Sequence, residues 1–291
     1  MKITTWEEYA QALPPPAVAK LPYMYSLLFI IRENRPPPGL NPKMKLIVTG
    51  ATGYVGTEVI RLALRNKAVS SVVALARRPV QVPEHVGPDA DKSKLQSVIL
   101  DDWTAPYPES VKEKLKGADA CIWCLAVTPT KSLEMDFADV TRICSDFTIN
   151  GLHNIASVAN NPFRFIYISG VSVERDQTKT LWFLSDYRLM RGRIENAILD
   201  FAKQHEPAVQ ATVTKPAGVE GPSRPRTLAA TSIFKQFGHA AWVHLSELAA
   251  AMIDQCLNGI TKDPLWAEDL EEIGARVLRK EDYAGYEPEA L

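Results

Sequence analysis

Cysteine is scarce in this chain, and neither sign of charge is in excess. Four cysteines among 291 residues, Cys121, Cys124, Cys144 and Cys256, are too few for a disulfide scaffold. They point to reduced, buried thiols in a cytoplasmic protein. Cys121 and Cys124 lie in an apolar stretch with the pattern of a strand, at an odd spacing. Their side chains then face opposite ways and form no metal knuckle. The five histidines show no ligand spacing, so no metal site is expected. Basic and acidic residues number 33 and 34, a formal net charge of −1, which gives nucleic acids and anionic membranes no bulk attraction. No internal repeat is visible, and no apolar run is long enough to cross a bilayer. What is left, 46% hydrophobic and 23% charged, is an ordinary globular composition with room for one large domain or two small ones.

The most informative stretch runs from Met44 to Leu64. An apolar strand, Leu46 to Val48, enters Gly50-Ala-Thr52-Gly53-Tyr54-Val55-Gly56. A helical pattern begins at once, with Val55, Val59, Ile60 and Leu62 to Leu64 on its buried face. Gly50 permits the tight turn off the strand, and Gly53 lets a pyrophosphate approach without meeting a Cβ. Gly56 allows the helix to pack closely. The free N–H groups and positive dipole end of the helix then face the phosphates. The alternative is a glycine-containing turn of some other α/β protein, but strand, glycines and helix in register favour a dinucleotide site.

Thr49-Gly-Ala-Thr-Gly-Tyr-Val-Gly56 resembles the first turn of the extended and atypical short-chain dehydrogenases/reductases, with their Gly-x-x-Gly-x-x-Gly spacing. The resemblance implies an α/β fold, a doubly wound parallel sheet of Rossmann type, with a nicotinamide dinucleotide along residues 50–56. Strands alternating with helical patterns after Met44 call for a parallel sheet on their own account.

Strand two, Ser71 to Ala76, ends at Arg77-Arg78-Pro79. A site for NAD(H) wants a carboxylate near this point, about 20 residues beyond the glycines, to bond the ribose 2′-hydroxyl. Two guanidiniums stand there instead, and their rigid fork of donors suits a phosphate. NADP(H) is therefore expected in preference to NAD(H), with at least one of the two arginines simply solvated. Strand three, Leu95 to Leu100, is followed by Asp101-Asp102. The resemblance makes Asp101 an adenine contact; a turn or N-cap carboxylate is the other reading. Strand four is expected over Ala118 to Ala126. Its end, Cys124-Leu-Ala-Val-Thr-Pro-Thr-Lys131, resembles the Cys-Leu-Gly-Thr-Thr segment of the Tat-interacting-protein-like, NmrA-like branch, which implies that Leu125 and Ala126 lie along the cofactor. A long helix follows from about Asp136 to Asn160.

Strand five, Phe163 to Gly170, ends in Ser169-Gly170. The resembled family places a carbonyl-polarising serine here, aligned with Gly170, so Ser169 falls one residue early and Ser172 two late. The next helix, Leu181 to Phe201, carries Tyr187-Arg-Leu-Met-Arg191-Gly192-Arg-Ile-Glu195, similar to Tyr-x-x-x-Lys-Gly-x-x-Glu. Tyr187 and Arg191 share a helical face. The resemblance makes Tyr187 the proton donor and Arg191 the cation that holds the nicotinamide ribose and lowers the phenol pKa. Arginine keeps the charge but does not readily lose a proton to a relay. Glu195 reads as a partner of Arg191 or as an anchor. Strand six, Gln210 to Lys215, leads into Pro216-Ala-Gly-Val219, similar to an Arg-Pro-Gly segment near the nicotinamide, with Lys215 in place of the arginine.

Residues 220–240 hold a Pro/Arg-rich loop and a short helix around Ile233-Phe234, the usual place of a substrate lid. A strand at Ala241 to His244, a helix from Leu245 to Leu257 and an amphipathic helix from Leu265 to Leu278 complete the pattern. Residues 1–43 read as a proline-rich extension, and residues 44–291 as one domain whose segment from about 216 lies on the substrate side. The patch Tyr23 to Ile31 lacks the flanks of a signal peptide. It is either a short helix docked on the domain or lying at a membrane surface, or a segment preceding a true start at Met44. The expected activity is that of an oxidoreductase on a small carbonyl, hydroxyl or enone, Tyr187 donating the proton and Ser169 or Ser172 orienting the oxygen. The alternative is a cofactor-binding protein of the same fold without redox chemistry, a regulatory or partner-binding module or an isomerase or cyclase.

Overall fold

The computed structural model describes residues 43–224 and 242–279. The patch at 23–31, the helix expected around Ile233-Phe234 and residues 280–291 lie outside the described residues. Seven strands, β1 (Met44–Thr49), β2 (Val69–Ala76), β3 (Leu95–Ile99), β4 (Ala120–Trp123), β5 (Phe163–Ile168), β6 (Val209–Lys215) and β9 (Leu265–Trp266), form one sheet in the order β3-β2-β1-β4-β5-β6-β9. Every pairing is parallel. A separate parallel pair joins β7 (Gly218–Glu220) to β8 (Trp242–His244).

Alternation along the strands divides the core in two. Leu46 and Val48 of β1 enter one apolar cluster with α1 (Tyr54–Arg65), α7 (Leu245–Asn258) and α8 (Ala267–Leu278). Ile47, between them, faces the other cluster, with α2 (Glu109–Leu115), α5 (Phe147–Ala156) and α6 (Ser185–Gln204). A parallel strand so covered on both faces is apolar in its middle, which is why β4 reads as an unbroken run and β1 as one from Leu46 to Val48. Cys121 belongs to one cluster and Cys124 packs against the other, as their odd spacing requires.

Local departures from the sequence expectation follow from packing. β4 stops at Trp123, short of Ala126, because the Trp123 indole N–H donates to the Leu125 carbonyl at 3.1 Å. The apolar residues 124–127 pack without pairing. The expected long helix is α4 (Phe137–Thr141), a π-helical turn at Arg142–Asp146, and α5, which ends at Ala156. A four-residue helix, α3 (Pro129–Ser132), precedes it. The helix expected from Leu181 begins only at Ser185, and Leu265–Trp266 form β9 rather than the first turn of α8.

The strand order reverses between β1 and β4. At such a reversal the connections after neighbouring strands leave in opposite directions and open a crevice beyond the carboxyl ends. All the segments that the sequence analysis singled out, after β1, β2, β4, β5 and β6, leave from those ends.

Candidate functional site

A cavity of about 380 Å³ lies at the reversal, lined by Gly50, Ala51 and Thr52 after β1, Leu75 to Pro79 from β2, Trp103, and Leu125 after β4. Gly50 has φ +63°, and a Cβ there would stand 2.7 Å from the Cys124 carbonyl. The turn after β1 is therefore pressed against the end of β4, which only glycine permits. Gly53 is the N-cap of α1, with no side-chain cap and no acidic residue in the first turn. The helix start keeps its positive end for a ligand.

Arg77 and Arg78 are exposed at the cavity and enter no ion pair among the described residues. No aspartate or glutamate stands among the lining residues. Tyr54 and Val55 do not line it: Val55 packs on the core, and Tyr54 lies under Arg224, whose guanidinium carbon is 4.6 Å from the ring centroid. Asp101 is exposed and outside the lining. Its neighbour Asp102 is the turn carboxylate, accepting from the Thr104 and Ala105 amides. Trp103, which the sequence analysis passed over, reaches the cavity, its indole fixed by the Leu100 carbonyl at 2.9 Å. Its only sequence signal was a large aromatic just after strand three. A dinucleotide fits what is present: an uncapped helix start, a glycine turn and two cations.

The segment after β4 leads from the cavity to Tyr187. Leu125 lines the cavity, Ala126 is half-buried beside it, and the Val127 carbonyl accepts from the Tyr187 hydroxyl at 2.8 Å. The Val127 amide donates to Cys144 Sγ at 3.2 Å, a contact placed by the π-helical turn. Arg191 donates from Nη1 to the Tyr187 oxygen at 3.0 Å and from Nη2 to the Ile168 carbonyl at 2.8 Å. Its guanidinium lies over the Tyr167 ring at 5.2 Å, and its Nε has no partner among the described residues. Burial pushes the Tyr187 phenol above its ordinary pKa, while the Arg191 charge works in the opposite direction.

Ser169 lies elsewhere in the hydrogen-bond scheme. Its hydroxyl donates to Glu195 Oε1 at 2.5 Å. Glu195, wholly buried, also accepts from Arg175 Nε at 2.6 Å and pairs with Lys215 Nζ at 3.0 Å. Glu195 is thus an anchor for the strand ends and not the partner of Arg191. Lys215 is equally committed, to Glu195 and to the Val173 carbonyl at 3.0 Å. Burial pushes its ammonium pKa down, with Glu195 opposing. The buried Pro216 accepts from the Val171 amide at 3.1 Å and stays out of the cavity lining. Ser172 is half-buried; its carbonyl is held by Arg188 Nε at 2.6 Å. The structure therefore joins Tyr187 and Arg191 to each other and to the cavity through Val127, and it ties Ser169 to Glu195.

A family model described as NAD(P)H-binding matches residues 50–216. Among curated proteins, Leucinostatins biosynthesis cluster protein T of Purpureocillium lilacinum is 24% identical over 177 residues, 61% of this chain and 58% of that protein. The chain thus spans little more than half the length of this relative. Among solved structures, the PhqB reductase domain of Penicillium fellutanum superposes with a TM-score of 0.56 at 18% identity, over 83% of this chain and 72% of that one. Gre2 of Candida albicans, in complex with NADPH, gives 0.53 at 18% identity, over 77% and 78%. At these identities the likeness to the structures is one of fold.

Proposed function

The chain belongs to the NAD(P)H-binding family, with the fold of the atypical short-chain dehydrogenases/reductases, and on that premise we propose that it is an oxidoreductase preferring NADP(H) to NAD(H) and acting on a carbonyl, hydroxyl or enone group of a small molecule. The observation that carries the preference is the charge of the cavity: Arg77 and Arg78 line it, and no carboxylate does. A ribose 2′-hydroxyl is best met by a carboxylate and a 2′-phosphate by guanidinium forks. The start of α1 would hold the pyrophosphate, Trp103 would border the adenosine end, and Leu125 and Ala126 would lie beside the path to Tyr187.

The cofactor, when bound, supplies or takes the hydride. The chain's own part is the proton. Tyr187 delivers it to the substrate oxygen, which displaces the Val127 carbonyl as acceptor, while Arg191 holds the phenol oxygen in place. Ser172 is the hydroxyl left to orient the substrate, since that of Ser169 is spent on Glu195.

A second reading, a cofactor-binding protein without redox chemistry, is favoured by the same contacts, because the Tyr187 hydroxyl already has both a donor and an acceptor. Titration with NADPH and NADH, followed by NADPH oxidation against a panel of carbonyl compounds, separates the two. Tighter NADPH binding and turnover of any carbonyl support the oxidoreductase. Binding without oxidation across the panel supports the second reading, and equal affinity for both cofactors removes the NADP(H) preference.

A further inference from the structure

Of the five large apolar side chains exposed among the described residues, Trp182 and Phe183 stand just before the helix that carries Tyr187, and Leu133 and Phe137 follow the segment whose Val127 carbonyl accepts from the Tyr187 hydroxyl. Ile99 on β3 is the fifth. The two segments meet at the bond from Tyr187 to Val127, and Met135 and Leu184 both pack on the cluster that contains Tyr187. Adjacent exposed aromatic rings, such as Trp182 and Phe183, mark a binding surface more often than scattered apolar residues do.

The aromatic pair is built into position. The rings of Trp182 and Phe183 lie 5.6 Å apart at 40°, yet Trp182 is 80% exposed. Arg188 fixes them, donating from Nη1 to the Phe183 carbonyl at 3.2 Å and from Nε to the Ser172 carbonyl at 2.6 Å. One guanidinium therefore ties the aromatic pair to the serine loop. Leu184, next in the chain, has φ +45° and ψ 41°, a left-handed conformation that a bulky side chain adopts only where its surroundings impose it. The strained residue is the turn between Phe183 and the first residue of α6. Strain, exposed aromatics and a hydroxyl-bearing loop thus meet at the start of the helix that carries Tyr187.

We propose that the substrate is an apolar molecule, a carbonyl or enone carrying an aromatic or aliphatic body of at least phenyl size, and that Trp182 and Phe183 select it by covering that body. The inference rests on the oxidoreductase reading and adds the substrate class to it. A short polar carbonyl would leave both rings in water, whereas an apolar body removes them from it along with its own surface.

The test compares 4-phenyl-2-butanone with acetone in the full chain and in Trp182→Ala, Phe183→Ala and the double variant. The exposure of Trp182 lets these fold. NADPH oxidation gives kcat/KM, and saturation-transfer NMR on the phenyl protons reads binding whether or not turnover occurs. The expected result is a fall in kcat/KM for the phenyl ketone of about ten- to a hundredfold in the double variant, with acetone little changed, and a matching loss of saturation transfer. Oxidation of NADPH by either ketone at rates indifferent to the substitutions overturns the substrate class and leaves the oxidoreductase standing. Saturation transfer lost in the variants, with no NADPH oxidised by any ketone, supports the apolar site and overturns the oxidoreductase instead. Unchanged ketone binding together with a changed elution volume in size-exclusion chromatography makes the pair a contact between chains, which also overturns the proposal.

Discussion

The hydroxyl of Tyr187 and the carbonyl of Val127, 60 residues apart in sequence, are bonded at 2.8 Å, so the candidate proton donor also fastens the segment along which a cofactor would lie. The Tyr187→Phe substitution separates the two roles. It leaves a buried carbonyl without its donor, at a cost of about 1–3 kcal/mol in thermal or chemical unfolding. Turnover is expected to vanish while NADPH affinity changes little, because the ring that packs is kept. A stable variant with full turnover would remove Tyr187 from the chemistry.

Gly170→Ser restores a hydroxyl at the position aligned with the family serine. A Cβ at Gly170 meets nothing nearer than the Pro216 carbonyl oxygen at 3.9 Å, so the side chain fits. Activity is expected to rise. Arg191→Lys is expected to lower it and to destabilise the protein, since an ammonium cannot reach Tyr187 and Ile168 with the planar fork that lies over Tyr167. Steady-state kinetics and melting curves on both variants decide these points.

The double substitution Arg77→Ser, Arg78→Ser is expected to weaken NADPH far more than NADH. Charge-assisted contacts to a phosphate contribute about 1.5–3 kcal/mol each. Both side chains are exposed, so stability should not move. Fluorescence titration with the two cofactors measures the difference, and an equal loss for both would make the pair a surface feature.

Two glycines of the first turn should fail differently. A Cβ at Gly56 would collide with the Gly50 carbonyl, whereas one at Gly53 stands 3.1 Å from it. Gly56→Ala is expected to cost about 1–3 kcal/mol through overpacking, seen as a lower melting temperature. Gly53→Val is expected to fold and to lose NADPH affinity, its branched side chain standing where the pyrophosphate would pass.

Alkaline pH should unfold the protein early. Burial raises the pKa values of Tyr107, Tyr167 and Tyr187, and of the thiols of Cys121, Cys124 and Cys256. The folded state keeps these protons after the unfolded chain has released them, so it binds more protons and loses stability as pH rises. The loss begins near pH ~8.5 for the thiols and ~10 for the phenols, with a slope of about 1.4 kcal/mol per pH unit for each full proton. Lys215, whose pKa is lowered, acts in the opposite sense just below its ordinary value. Urea midpoints between pH 8 and 11 should fall steadily; a flat profile would contradict the burial of these groups.

The glycine turn, the parallel strands on either side of it and the tyrosine helix were legible because each rests on residues close in sequence. Strands one, two, three, five and six lie within two residues of their expected ends, since buried parallel strands announce themselves as apolar runs. β4 was overextended for the same reason: Cys124 to Val127 are as apolar as the strand, and only the pairing stops. β7 and β9, three and two residues long, are too short for periodicity and exist because partners far along the chain receive them. Glu195 shows the limit most plainly. Helical spacing puts it near Arg191, but its oxygens go to Ser169, Arg175 and Lys215, three residues gathered only by the tertiary fold.

Among the described residues the sheet is open, and its two margins differ. β9 contributes two residues, too few unpaired backbone groups to template the strand of another molecule. β3 offers five, with Ile99 46% exposed. Along β3 the Ser97 hydroxyl is taken by the Val80 amide at 2.8 Å, and Lys92 and Lys94 stand just before the strand. Among the described residues, shortness closes the β9 margin to strand addition. At the β3 margin the exposed Lys92 and the Val80–Ser97 hydrogen bond stand against it, while the Lys94 ammonium is turned to the Leu64 and Asn66 carbonyls; cross-β aggregation is expected to start there if the segment around Val80 lifts away.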